Sequence, residues 1–165
     1  MENVVPAIGR REVLGGGALT LAGLTIAGLA NGQARPAGEI QLSNAEWRKR
    51  LGPQRFHILR EAGTERPYSS PLNGEKRRGV FSCGGCGLPL FSSTTKFESG
   101  TGWPSFFRAL PKAVITRADY HLGMRRTEVL CRRCGGHLGH VFPDGPRPTG
   151  QRYCMNGLSL RFTPA

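Results

Sequence analysis

The sequence predicts a mainly β domain, in which short N-terminal helices precede two packed antiparallel sheets or an open barrel. Its 24 glycines and 12 prolines in 165 residues favour tight turns and short strands over long helices. The helix signals that we find lie between residues 43 and 63. A hydrophobic content of 38% is modest for a chain of this length, so we expect one small core with a staple.

Two short helices are predicted at the start of this domain. A capping-box pattern, Ser43 with Glu46 three residues later, indicates a helix at residues 44–51. The Gly-Pro pair that follows ends this helix, and its proline opens a second predicted helix that ends at Gly63. His57 would lie beside the apolar face of the second helix, where we expect a structural role and not a catalytic one.

Short apolar runs separated by turn residues predict the strands. A polar, turn-rich loop at residues 67–79 precedes them. The predicted strands are Gly79 to Ser82, Leu88 to Ser92, Ala113 to Asp119, Thr127 to Cys131, His140 to Phe142, Arg152 to Asn156 and Ser159 to Phe162.

The chain opens with a predicted export signal. Arg10 and Arg11 precede Val13 to Ala34, a stretch without charged side chains that is rich in alanine, leucine and glycine. A basic pair ahead of such a stretch is typical of twin-arginine signal peptides. Its many glycines make the stretch too weakly apolar for a membrane span, so we expect removal and not permanent anchoring.

Cleavage is expected after Ala34, with Ala30 as the alternative, because signal peptidases favour small residues. Residues 1–34 would then be the signal and residues 35–165 the folded domain. This organisation predicts export by the twin-arginine route to the periplasm. An uncleaved signal would anchor the domain to the membrane, and a disordered tail is the alternative to a signal.

The formal net charge of the chain is +12. Basic residues are spread from Arg48 to Arg161, with only short clusters such as residues 76–78. Nucleic-acid binding proteins concentrate such charge on one face or along one helix. We therefore expect no specific nucleic-acid partner, although a basic metal module for nucleic acid is one rival hypothesis.

Two Cys-x-x-Cys pairs, each followed by glycine, predict a metal site. The pairs are Cys83 with Cys86 and Cys131 with Cys134. Four thiolates suit tetrahedral zinc, and a closed set of four leaves no position for a reacting group, so one structural Zn²⁺ is predicted. The metal would join two hairpins that are distant in sequence. Two disulfides, or a dithiol motif of a thiol-disulfide oxidoreductase, are the alternatives.

The fifth cysteine, Cys154, is left without a partner. Arg152 and Asn156 are near it in sequence, and His137 and His140 follow the second Cys-x-x-Cys pair. A positive or proton-donating setting lowers the pKa of a thiol and keeps it nucleophilic, so we expect a reactive Cys154. A buried inert cysteine is the alternative.

Several separate stretches resemble the methionine-R-sulfoxide reductases (MsrB). The resemblance runs from about Leu42 to Phe162 and includes both Cys-x-x-Cys pairs. The matching stretches are Thr64 to Pro67, Lys96 to Phe106, Arg126 to Val129, His137 to Pro146 and Pro148 to Asn156.

The resemblance implies a fold of two antiparallel sheets with short N-terminal helices. It also implies reduction of methionine R-sulfoxide in proteins, with thioredoxin as the reductant. Cys154 aligns with the nucleophile and Trp103 with the wall that receives the methyl group of the substrate. The polar side of the site aligns with His137, His140 and Asn156, and Arg152 is a weaker candidate for substrate binding.

Two positions depart from the family pattern. Thr101 stands where many members carry a second, resolving cysteine, and Gly157 stands where serine is frequent. Attack by Cys154 on a sulfoxide leaves a sulfenic acid, and the four other thiols are committed to the metal. We therefore expect an external thiol to complete the cycle. We also expect the protein to act as a monomer.

Overall fold

The computed structural model describes Met1, residues 38–120 and residues 123–165. The predicted signal, apart from its first methionine, and His121 lie outside the described residues. Every element described below belongs to the compact unit Ala34–Ala165. Within the described part of the chain, no helix combines the length and the apolar character that crossing a membrane requires.

Helix α1, Asn44–Glu61, contains the two predicted helices in succession. The hydroxyl of Ser43 accepts from the backbone N–H of Glu46, and the Glu46 carboxylate accepts from the backbone N–H of Ser43 at 2.8 Å. Gly52, with φ 70°, interrupts the helical backbone just before the proline. The capping box and the break are therefore confirmed. One face of α1 is buried through Trp47, Phe56, Ile58 and Leu59.

The strands form two antiparallel sheets, which confirms the predicted mainly β fold. The three-stranded sheet has the order β2-β1-β9, and the six-stranded sheet has the order β3-β4-β8-β7-β6-β5. The strands of the described residues are β1 Gly79–Cys83, β2 Pro89–Ser92, β3 Lys96–Phe97, β4 Ser105–Phe106, β5 Val114–Asp119, β6 Arg126–Cys131, β7 His137–Phe142, β8 Arg152–Met155 and β9 Leu160–Pro164.

All predicted strands are present, but three features were missed. The two-residue strands β3 and β4 are too short to show an alternating pattern. Strand β7 begins at His137, three residues before the predicted start, because two irregularities hide its alternation. The register shifts between Val129 and Leu130 of the neighbouring strand, and Gly139 has φ 153°. A Cβ on Gly139 would lie 2.1 Å from the carbonyl oxygen of Cys154, so only glycine fits there.

The core connects the sheets and the helix. Phe106 of β4 stacks on Phe91 of β2 with ring centroids 4.4 Å apart and meets Phe81 of β1 edge-on at 4.9 Å. From α1, Trp47 and Leu59 are buried as well. Both side chains lie against the first Cys-x-x-Cys turn, so the helix and this turn share one core.

Candidate functional site

The two Cys-x-x-Cys pairs form equivalent turns at the ends of strands. Cys83 ends β1 and accepts a hydrogen bond from the backbone N–H of Gly87 at 2.9 Å. Cys131 ends β6 and accepts from Gly135 at 2.8 Å. Both glycines have positive φ, 75° and 65°, which this tight turn requires. The two turns therefore present their cysteines in the same way.

The sulfurs of these turns meet in one cluster. The ligand atoms of Cys83, Cys86, Cys131 and Cys134 all lie within 4.8 Å of one another, with Cys83–Cys134 at 3.7 Å and Cys86–Cys131 at 3.5 Å. Tetrahedral zinc with Zn–S bonds of about 2.3 Å holds its sulfurs roughly 3.8 Å apart. A disulfide needs about 2.05 Å, and all five cysteines are free.

The chemistry of this donor set also fits a dication. Hydrogen bonds between the sulfurs raise the pKa of Cys83 and Cys131 and lower the pKa of Cys86 and Cys134. Without a cation, four thiolates cannot coexist in this space, and the sulfurs share protons. A bound Zn²⁺ would let all four ionise, and the four ligands would leave it no open position for catalysis. The cluster is the predicted structural zinc site.

Cys154 lies apart from this cluster, in the middle of the six-stranded sheet. On β8 it pairs with Ser105 of β4 on one side and with His140 of β7 on the other. Its thiol is half-buried and lies 3.8 Å from the hydroxyl of Thr101. Cys154 therefore lies between a strand that carries histidines and a segment that carries hydroxyls.

Burial raises the pKa of the Cys154 thiol. Hydrogen bonding from Thr101 and the positive charge of Arg152 oppose this rise, as does Ser105, but they do not cancel it. The expectation that the neighbours lower the pKa of this thiol is therefore wrong, because desolvation outweighs them. Of the groups that oppose the rise, the sequence identified only Arg152; Thr101 and Ser105 were missed, and the histidines are not among the causes.

Thr101, which contacts the Cys154 thiol, is the first of three hydrogen-bonded hydroxyls. The Thr101 hydroxyl lies 2.8 Å from that of Ser99, which in turn lies 2.8 Å from that of Ser105. Ser105 also donates to the carbonyl of Trp103 at 3.1 Å. These bonds fix the loop that carries Thr101 and Trp103. Thr101, the position where the sequence departs from the expected family pattern, thus contacts Cys154.

His137 is held by a buried carboxylate. Its Nδ1 lies 2.7 Å from the carboxylate of Glu128, and Arg117 donates to the other oxygen of Glu128. Burial raises the pKa of Glu128, but the bonds from His137 and Arg117 outweigh it and lower that pKa overall. An ionised Glu128 places a proton on Nδ1. Within the described residues, the buried Nε2 of His137 has no hydrogen-bond partner, so it is available to another group.

His140 has a similar arrangement on the same strand. Its Nε2 lies 2.8 Å from the carboxylate of Asp119, which also accepts from Arg126 at 2.7 Å. The ring packs edge-on against His137, with centroids 5.4 Å apart. Burial is the main cause that lowers the pKa of His140, and the Asp119 carboxylate only partly offsets it.

The amide of Asn156 is bonded to the backbone. Its oxygen accepts from the N–H of Glu65 at 3.0 Å, and its nitrogen donates to the carbonyl of Leu138 at 3.3 Å. The described contacts tie β7 to the segment before residue 67. The place predicted for Asn156 on the polar side of the site stays a prediction.

Glu65 forms hydrogen bonds with Trp103 and with the turn at Gly157. Its carboxylate is buried and accepts from the backbone N–H groups of Gly157 and, at 3.0 Å, Leu158. Its carbonyl accepts from the indole N–H of Trp103 at 3.2 Å. A Cβ on Gly157 would lie 1.8 Å from the Ser70 hydroxyl, so the glycine at this position is required by packing.

Arg152 is fixed beside Cys154. It donates to both oxygens of Asp144, at 2.9 and 2.8 Å, and its guanidinium lies 4.5 Å from the centroid of the Phe142 ring. Asp144 is the main cause that raises the pKa of Arg152, and the Cys154 thiol adds to it. The arginine therefore supplies a permanent positive charge near the sulfur. The substrate-binding role predicted for Arg152 stays a prediction.

Residues 51–164 match the family model of the SelR domain. This match covers more than half of the chain and includes both cysteine turns and Cys154. The chain belongs to the SelR/MsrB family. The relatives it resembles include proteins named peptide methionine sulfoxide reductase MsrB from several organisms.

The relative from Agrobacterium fabrum is 53% identical over 127 residues, covering 76% of this chain and 94% of the relative. The relative from Leifsonia xyli subsp. xyli is 55% identical over 131 residues, with 77% and 94% covered. The relative from Methanosarcina mazei is 53% identical over 126 residues, with 76% and 90% covered. The SelR/MsrB resemblance stated from the motifs is therefore confirmed.

In this SelR/MsrB chain, the structure brings Cys154, His137 and His140 together on neighbouring strands, with Arg152 beside Cys154. Trp103 lies two residues after Thr101, and its predicted role as the wall for the methyl group stays a prediction. His57 lies on the exposed side of α1, where it bonds Glu61. Sequence reasoning gave no role to Glu65, Glu128, Asp119 or Arg117. Glu65 and Glu128 lie in the matching stretches. Glu128 was the clearest signal of a functional residue, because it directly precedes the apolar part of β6 and a buried acid needs partners.

Proposed function

We propose that this SelR/MsrB chain is a peptide-methionine (R)-S-oxide reductase that uses Cys154 as its nucleophile. The observation that carries the proposal is the position of Cys154, between His140 on one side and Thr101 on the other and apart from the zinc cluster. Oxidised methionine in proteins is then the substrate, as the printed names of the relatives indicate for those proteins.

In the first step, the sulfur of Cys154 attacks the sulfur of the sulfoxide and takes over its oxygen. The thiol becomes a sulfenic acid while the sulfoxide is reduced to the thioether, so two electrons pass from one sulfur to the other. The oxygen must be protonated as negative charge builds on it. His137 suits this role because its Nε2 has no hydrogen-bond partner in the described part of the chain and its Nδ1 is bonded to Glu128, which fixes the orientation of the ring.

The seat for the methyl group is assigned to Trp103. Its indole is fixed by the bond to the Glu65 carbonyl, and the ring offers an apolar, polarisable face. With the methyl group on this face and the oxygen toward the histidines, only one epimer presents its sulfur to Cys154. This arrangement supports selectivity for the R epimer, since the two sulfoxide epimers have separate reductases.

The cycle requires an external thiol. Thr101 holds the position beside Cys154, and the other four cysteines form the zinc cluster. Two thiol groups of a thioredoxin-like reductant convert the sulfenic acid back to the thiol, with release of water and formation of a disulfide in the reductant.

The test is reduction of separate R and S epimers of a blocked methionine sulfoxide peptide with dithiothreitol. We expect turnover of the R epimer alone, with complete loss in Cys154→Ser. Zinc content near one per chain in that variant is the control, because the nucleophile and the metal ligands are separate residues. Turnover in Cys154→Ser, or equal use of both epimers, would refute the proposal.

We also propose export by the twin-arginine route to the periplasm, and action as a monomer. The signal hypothesis is supported by Arg10, Arg11 and the uncharged stretch that follows them. Residues 1–37 fused to a passenger that must fold before export should cross the inner membrane, and lysine at both arginines should block transport. Export by the double variant would contradict the route, and light scattering of the purified domain would check the monomer.

A further inference from the structure

Tyr68 is a surface aromatic residue in a conformation that needs support. Its side chain is 70% exposed, yet its hydroxyl donates to the carbonyl of Gly100 at 2.6 Å. Its backbone has φ 61°, in the left-handed region that bulky residues rarely adopt, and its N–H donates to the carbonyl of Gly102 at 2.7 Å. Residues held in such a conformation concentrate at functional sites. The ring is therefore fixed in place and still open to solvent.

Tyr68 lies against the loop that carries the active-site residues. A Cβ on Gly102 would lie 3.0 Å from Cδ2 of Tyr68 and 2.7 Å from Cβ of Pro67, so the segment packs directly on this glycine. The residues on either side of Gly102 are Thr101, which contacts Cys154, and Trp103, the assigned methyl seat. Tyr68 is thus hydrogen-bonded to the loop that carries the assigned methyl seat.

The chemistry of this rim suits a polypeptide. A rigid, amphipathic aromatic ring binds chain segments at low cost in conformational entropy. Arg66, two residues earlier, is exposed, and its side chain forms no ion pair among the described residues. A methionine seated on Trp103 must continue in both directions along its own chain, and the wall beside this seat carries Tyr68.

We propose that Tyr68 is a docking residue for the extended polypeptide that flanks the oxidised methionine. This inference rests on the proposed function and adds to it the group that distinguishes a peptide substrate from the free amino acid. The occupant is the substrate chain and not the reductant, because Tyr68 is bonded to the same loop as the methyl seat.

The experiment compares two substrates in one assay with dithiothreitol as the reductant. One is a blocked tripeptide with a central methionine R-sulfoxide, and the other is free L-methionine R-sulfoxide. We expect Tyr68→Ala to lower kcat/KM for the tripeptide about threefold to tenfold, mainly through KM, and to leave the free amino acid unchanged. Tyr68→Asn repeats the test with a residue that tolerates positive φ, in case the alanine variant folds poorly. Tyr120→Ala, which removes another tyrosine that is 62% exposed, is the matched control.

The outcomes separate this inference from the proposed function. An equal loss on both substrates would make Tyr68 a support of the loop only, and no loss on either would remove it from substrate binding. A loss seen only when a thioredoxin-like protein replaces dithiothreitol would assign the ring to the reductant. Each of these results overturns the inference while the reductase activity stands. A wild-type chain that reduces neither substrate would refute the proposed function as well.

Discussion

Replacing Thr101 with valine tests how the chain controls the reactivity of Cys154. The change removes the hydroxyl 3.8 Å from the Cys154 sulfur and keeps the shape of the side chain. A hydrogen bond to a charged group contributes roughly 1.5–3 kcal/mol, and the long distance here reduces the expected effect to about 1 kcal/mol. Because burial already raises the pKa of Cys154, the thiolate is a minor species at neutral pH. Its population should therefore fall about fivefold in the variant.

The assay is the rate of iodoacetamide alkylation of Cys154, followed by mass spectrometry on zinc-loaded protein between about pH 6 and about pH 10. We expect the rate near neutral pH to fall about fivefold, and the midpoint of the profile to move to higher pH. Thr101→Ser, which keeps a hydroxyl, is the control and should stay close to the wild type. An unchanged rate with valine, or an equal loss with serine, would show that the hydroxyl does not stabilise the thiolate.

Three other changes have definite expected outcomes. Cys83→Ser should release the metal and lower the free energy of unfolding, as measured by zinc analysis and urea denaturation, because structural zinc contributes folding free energy directly. Thr101→Cys should form a disulfide with Cys154 after one turnover, visible by non-reducing mass spectrometry, since the two side chains are already in contact. Glu128→Gln should lower the free energy of unfolding at neutral pH by about 3 kcal/mol, because it breaks a buried ion pair with Arg117. The pKa of Glu128 is lowered in the folded chain, so this stabilisation is present above the unfolded pKa and lost as pH falls through the folded one. Denaturation curves of variant and wild type should therefore converge in acid.

Local signals in the sequence predicted most of the fold. The capping box at Ser43 and the break at Gly52 act through the backbone of adjacent residues, so the pattern alone identifies them. Strands β3 and β4 escaped prediction because two residues cannot show a period. Strand β4 pairs with Cys154 and Tyr153 across the sheet, and β3 pairs only with β4 among the described strands. Tertiary contacts therefore determine the short strands that local sequence patterns cannot predict.

The residues of the site also fall into two groups, those that local patterns predict and those that depend on contacts between elements. Spacing identified the four metal ligands, because a Cys-x-x-Cys turn is a local structure, and elimination left Cys154 as the candidate nucleophile. The sequence did not reveal that Glu128 pairs with His137 or that Glu65 supports Trp103, since these contacts join residues on different elements. The net effect on the Cys154 pKa was also out of reach, because it depends on burial that only the packed sheet defines.

The zinc cluster and the Glu128–His137 pair are separate sets of residues, yet they share one hairpin. Cys131 ends β6, which also carries Glu128, and Cys134 lies just before β7, which begins with His137. The cluster therefore closes the turn between the two strands whose side chains form the Glu128–His137 pair across the sheet. A metal bound there would help to fix the distance between the Glu128 carboxylate and the His137 imidazole, although it contacts neither. Loss of the ion would release the turn and with it the orientation of the His137 ring, without removing either member of this pair.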